Sequence, residues 1–71
     1  MTKRLRAVSE AASARLLYKA GAERVGDDAA VRFAEILEEI ALTISEQAVR
    51  VAEHAGRKTV EGEDVKLAAR G

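Results

Sequence analysis

Seventy-one residues leave room for one domain, and a chain this short hides only about 60% of its unfolded surface, so it usually needs a staple or a partner. With no cysteine there is no disulfide or thiolate zinc site, and the lone histidine, His54, makes a histidine-based metal site improbable, so no metal or cofactor is expected. A net charge of 0 argues, taken alone, against a nucleic-acid binder.

The pattern along the chain is all-α. Proline is absent, aromatic residues make up 3%, and apolar residues 48%, with alanine, leucine, valine and glutamate prominent. Residues 1–8 bring Lys3, Arg4 and Arg6 and form either a basic extension or the start of the first helix. Residues 9–70 then read as one domain. Ser9 to Ala20 predicts a short helix with Ala12, Leu16, Leu17 and Ala20 facing inward and Gly21 as its stop. The longest periodic segment is Asp28 to Ala55. Phe33, Leu37, Ile40, Ile44, Ala48, Val51 and Ala55 follow one helical face, and Ala34, Ala41, Ala48 and Ala52 make a second stripe flanked by Ile36 and Val49. Gly26 or Asp27 can cap its start, and Gly56 suits a left-handed stop at its end. Glu61 to Arg70 predicts a third short helix, with Gly62 a poor residue if it lies in the interior. Val25, Thr59 and Val60 favour extended backbone, so each connection is expected to hold a strand of two or three residues.

Two arguments from these elements bear on function. The central helix would be about 42 Å long, whereas a compact globule of this size measures about 29 Å across. One short helix on either side cannot cover both apolar stripes, so the chain is expected to dimerise by crossing two central helices, with no stable monomer. Charge is also unevenly spread. Residues 1–26 hold six basic and two acidic side chains, a net of +4; residues 27–56 hold two and seven, −5; residues 57–71 hold four and three, +1. Folding can therefore gather the cations on one face. No constellation of acid, base and nucleophile stands out, so an enzyme is not expected. Without a membrane-length apolar run or a hydrophobic leader, the chain is expected to stay inside the cell, with no membrane partner.

The order of short helix, long helix and short helix resembles the histone fold, and the residues at the joints carry the resemblance. Ala20-Gly21-Ala22-Glu23-Arg24-Val25-Gly26-Asp27-Asp28-Ala29 looks like the first-loop signature of archaeal histones. Ile36-Leu37-Glu38-Glu39 resembles their central helix, and His54-Ala55-Gly56-Arg57-Lys58-Thr59-Val60 with Glu63-Asp64-Val65 is similar to their second loop and third helix. The match runs from about Ser9 to Arg70 without a gap.

The resemblance implies a handshake dimer, a homodimer or a heterodimer with another histone, whose core holds Phe33, Leu37, Ile40, Ile44 and Ala48. Its partner would be double-stranded DNA, gripped at the phosphate backbone and minor groove without base specificity and compacted into nucleosome-like chromatin on the chromosome. Arg24 matches the family's minor-groove arginine, with an exposed ion pair to Glu23 as the plainer alternative. Thr59 of the partner's loop would orient it and reach a phosphate. Lys58 suits phosphate. Arg57 is implied both in DNA contact and in an ion pair with Asp64, and the structural role is favoured. Arg15 and Lys19, four apart on one helix face, would bracket phosphates. Backbone N–H groups at the starts of the first two helices would add positive potential.

Val51, His54 and Asp64 match a contact between dimers that builds tetramers and higher oligomers on DNA, although His54 also suits a helix C-terminus. Gly21 matches a position where successive superhelical turns stack, although it serves equally as a helix stop. Three departures from the family pattern weaken DNA binding: Ala30 where many relatives are basic, an end at Ala69-Arg70-Gly71 where relatives often continue, and zero net charge. Those departures sustain an alternative, a histone-fold subunit that works mainly through heterodimer contacts.

Overall fold

The computed structural model describes residues 7–71, so Lys3, Arg4 and Arg6 lie outside the described residues. Three helices follow one another: α1 (Glu10–Lys19), α2 (Asp27–His54) and α3 (Gly62–Arg70). The chain divides into two compact units, residues 1–39 and residues 40–71, with the boundary inside α2.

In the first unit, Ser9 caps α1 by accepting the Ala12 N–H at 3.0 Å. At the other end the Ala22 N–H donates to the Leu17 carbonyl and the Gly21 N–H to that of Tyr18, with Gly21 at φ +116°. This is a Schellman stop, which satisfies carbonyls the helix leaves open and favours glycine at its left-handed position. The α1 surface differs from the expected one. Ala12 and Leu17 are partly buried, but Leu16 and Ala20 are exposed, and the fully buried side chain is Ser13. Its hydroxyl lies 2.7 Å from the Ala30 carbonyl oxygen of α2. Gly26 immediately precedes α2, its carbonyl accepting from the N–H groups of Ala29 and Ala30. The unit's buried apolar residues are Ala30 and Ala34.

The second unit holds the end of α2 and α3. A second Schellman stop closes α2, with the Arg57 N–H donating to the Ala52 carbonyl and the Gly56 N–H to that of Glu53; Gly56 has φ +76°. Gly62 is the first residue of α3, not an interior one, so the propensity cost expected of it does not arise. Ala48, Ala52, Ala68 and Asp64 are buried here.

The expected short strands are not present: among the described residues the two connections contain turns and bends without a β-ladder. Val25, Thr59 and Val60 have no second extended backbone to pair with inside their own unit, and β-propensity alone does not make a strand.

Candidate nucleic-acid interface

The first connection carries Arg24, exposed and, among the described residues, without an ion pair, so the alternative pairing with Glu23 is not made. Arg15 and Lys19 are exposed on α1 and equally unpaired among the described residues. Three cations of the first unit therefore face solvent with no described carboxylate competing for them. The helix N-termini are less open. Ser9 takes one amide of α1, Glu10 lies in its first turn, and Asp27 and Asp28 occupy the first turn of α2. Carboxylates there compete with any phosphate for the same partial positive charge.

The second connection is organised around an ion pair. The Arg57 guanidinium grips Asp64 with two parallel hydrogen bonds, Nη1 to Oδ2 at 2.9 Å and Nη2 to Oδ1 at 2.8 Å. Nη1 also donates to the Thr59 carbonyl at 3.0 Å, and the Glu61 N–H donates to Asp64 Oδ2 at 2.8 Å. Asp64 is 2% exposed. A buried carboxylate needs this many donors. The Arg57 hydrogen bonds, helped by the Glu61 amide, hold its pKa down at about 2 against the opposing effect of burial. Arg57 is correspondingly raised by its hydrogen bond to Asp64. Its guanidinium is thus tied within the chain as the expected ion pair, with about a third of the side chain still exposed. Lys58 and Thr59 beside it are exposed.

Of the residues expected between dimers, Val51 is partly buried, His54 is exposed at the last turn of α2, and Asp64 is buried. Asp64 retains one acceptor position. Oδ2 accepts twice and Oδ1 once, which leaves one lone pair on Oδ1 of a side chain that is 3% exposed. Gly21 is exposed, and a Cβ there would meet nothing within 4 Å in its own chain, although its φ would strain any other residue.

The expected dimer core is only partly covered in the single chain. Phe33, Leu37 and Ile44 are partly buried, Ile40 is 53% exposed, and Ala48 alone is buried. Near the end of α2 an open groove of about 470 Å³ is walled by Val49, Glu53, Lys58 and Val60. Its valines are about two-fifths exposed. Among the described residues no three His, Asp or Glu side chains gather to hold a metal, and no helix is long and apolar enough to cross a membrane. Ser13 is the residue that pattern reading passes over. It lies four residues before the half-buried Leu17, an inward spacing, and its polarity disguises it.

Residues 7–69 match the family model described as histone-like transcription factor (CBF/NF-Y) and archaeal histone. The chain is 57% identical over 56 residues to a subunit of the archaeal histone HAN1 from Thermococcus zilligii, covering 79% of this chain and 84% of that protein. It is 60% identical over 57 residues to probable archaeal histone 3 of Methanocaldococcus jannaschii, covering 80% and 85%. With its helix order and both loop signatures in place, the chain belongs to the family of histone-like CBF/NF-Y transcription factors and archaeal histones, of which the archaeal histones are structural, DNA-packaging proteins and not enzymes.

Proposed function

We propose that two copies of this chain clasp through α2 and that the dimer binds double-stranded DNA without base specificity, bending and compacting it on the chromosome. One observation carries the reading. No large apolar side chain of α2 is fully buried in the single chain, Ile36, Ile40, Leu42 and Val49 being exposed and Phe33, Leu37 and Ile44 half-buried, while the buried apolar residues among the described ones are all alanines. Alanines bring helices close together but bury little area each. Covering a half-exposed isoleucine such as Ile40 is worth about 1 kcal/mol, repeated along the stripe by a second α2. The groove beside Val49 and Val60 gains cover in the same way.

DNA binding then follows from charge placement. Arg24 enters the minor groove, where narrowing concentrates negative potential and no base code is required. Arg15, Lys19 and Lys58 meet phosphates, and the Thr59 hydroxyl of the partner's loop steadies Arg24. Arg57 supports this indirectly, by holding the Thr59 carbonyl and so shaping the loop that presents Lys58. The four cations assigned to DNA in each chain make eight per dimer, which predicts a log–log salt slope of about −7. Dimers join through Val51, His54 and the remaining lone pair of Asp64, and Gly21 leaves room for stacked superhelical turns.

Gel-shift titration of unrelated duplexes across a salt series tests the reading. The expected result is equal affinity for all sequences and a steep loss with salt; preference for one sequence, or no salt dependence, contradicts it. The zero net charge favours a second reading, a histone-fold subunit that pairs with a different histone and touches DNA weakly. In that case the purified chain alone is molten until a partner is added.

A further inference from the structure

Ser13 has no exposed surface, yet it sits where α1 would ordinarily place an apolar residue. A buried hydroxyl is unfavourable unless bonded. Its oxygen lies 2.7 Å from the Ala30 carbonyl, seventeen residues further on in the first turn of α2, and 2.9 Å from the Glu10 carbonyl of its own helix. The contact to Ala30 ties two helices together; the one to Glu10 does not. A helix of ten residues has little stability of its own, so its orientation depends on what it is tied to.

That tie has a directional consequence. At 100° per residue, Arg15 emerges about 200° around the helix from Ser13 and Lys19 about 240°, so both point away from the anchored side. Both are exposed. Rotating α1 about its axis would sweep both cations together, and a hydroxyl bonded across to Ala30 restrains that rotation.

We propose that Ser13 is a positioning residue for DNA binding: its bond to the Ala30 carbonyl sets the rotation of α1 on α2, and with it the direction in which Arg15 and Lys19 present their charges. The inference rests on the reading that α1 grips DNA. Ser13→Ala removes the tie without orphaning a group, because a carbonyl inside a helix keeps its intrahelical partner. The variant is expected to keep its fold while α1 gains rotational freedom.

The test measures affinity for a fluorescent duplex of random sequence over a sodium chloride series, below the melting temperature of every variant. It compares the full chain with Ser13→Ala, with Arg15→Ala/Lys19→Ala, and with the triple variant. Ser13→Ala should bind up to about five-fold more weakly, because re-orienting α1 on DNA costs no more than the net worth of the hydrogen bond that held it. Its salt slope should also become shallower, toward that of Arg15→Ala/Lys19→Ala. In the triple variant the serine change should add nothing, because the charges it positions are gone.

Ser13→Cys, which keeps a weak donor at nearly the same size, should recover part of the loss, and it takes over the comparison if Ser13→Ala fails to fold. A lower melting temperature with unchanged affinity and slope overturns the proposal, as does full additivity in the triple variant. Wild-type binding by Arg15→Ala/Lys19→Ala removes the α1 part of the DNA reading itself and takes the proposal with it. Loss in that variant but none in Ser13→Ala defeats the positioning role alone.

Discussion

The two connections are built to the same plan and finished differently. Each opens on a Schellman stop with a positive-φ glycine, Gly21 in one and Gly56 in the other, and each carries an arginine within three residues of it. Arg57 is tied to Asp64 and to the Thr59 carbonyl, so the second connection is braced from inside. Arg24 has no ion pair among the described residues. Residue type does not separate a structural arginine from one available to a ligand. What separates them is whether a buried carboxylate stands within reach.

The largest test of that contrast is Asp64→Ala. It leaves the Arg57 guanidinium without its two-pronged partner and the Glu61 amide without an acceptor, so several groups lose their bonds at once. Thermal melts should show the lowest melting temperature of any variant considered for either connection. A melt indistinguishable from wild type would mean that the second connection is not braced as described.

Acid should act on the same pair, more gently. The Asp64 carboxyl titrates at about 2 in the folded chain against an ordinary 3.8. A depressed folded pKa means that the pair's stabilisation is fully present above the ordinary value and is lost as pH falls through the folded one. Melting temperature should therefore drop between pH 4 and pH 2, and the drop should shrink in Asp64→Asn. An equal drop in both proteins would assign acid sensitivity to other carboxylates.

The glycines sharpen the comparison further. Gly21→Ala and Gly56→Ala should each cost about 1–2 kcal/mol from the left-handed backbone alone. Asparagine should be tolerated better at Gly56, whose φ of +76° is close to the region asparagine visits, than at Gly21 at +116°. Paired melts of the two asparagine variants decide this, and the opposite order would contradict the backbone argument.

Smallest in stability is Arg24→Ala, expected within about 0.5 kcal/mol of wild type because it breaks no ion pair. Its effect should appear instead in DNA affinity. An Arg24 variant that melts early but binds normally would exchange the roles assigned to the two arginines.

Much of this is legible in the sequence, for physical reasons that differ by element. Apolar spacing marks α2 to within a residue at each end, because twenty-eight residues average out local noise. Both stops are readable from single glycines, since few other residues hold that backbone. The seven-residue separation of Arg57 and Asp64 carries no periodic signal, and their pairing comes only through likeness to a family. The strands expected at Val25 and Thr59–Val60 fail within the single chain because propensity is local and a ladder needs a second strand. Ser13 and Leu16 mislead for a related reason. Hydropathy sorts residues by type, whereas burial on a ten-residue helix depends on which few positions touch the neighbouring helix.

Everything assigned to DNA depends on a second copy covering α2, and sedimentation equilibrium of the purified chain at micromolar concentration addresses that most directly. The account predicts a species of two chains whose melting temperature rises with protein concentration, and a collapse of both properties in Ile40→Asp. A cooperatively folded single chain, with a melting temperature independent of concentration, would contradict it.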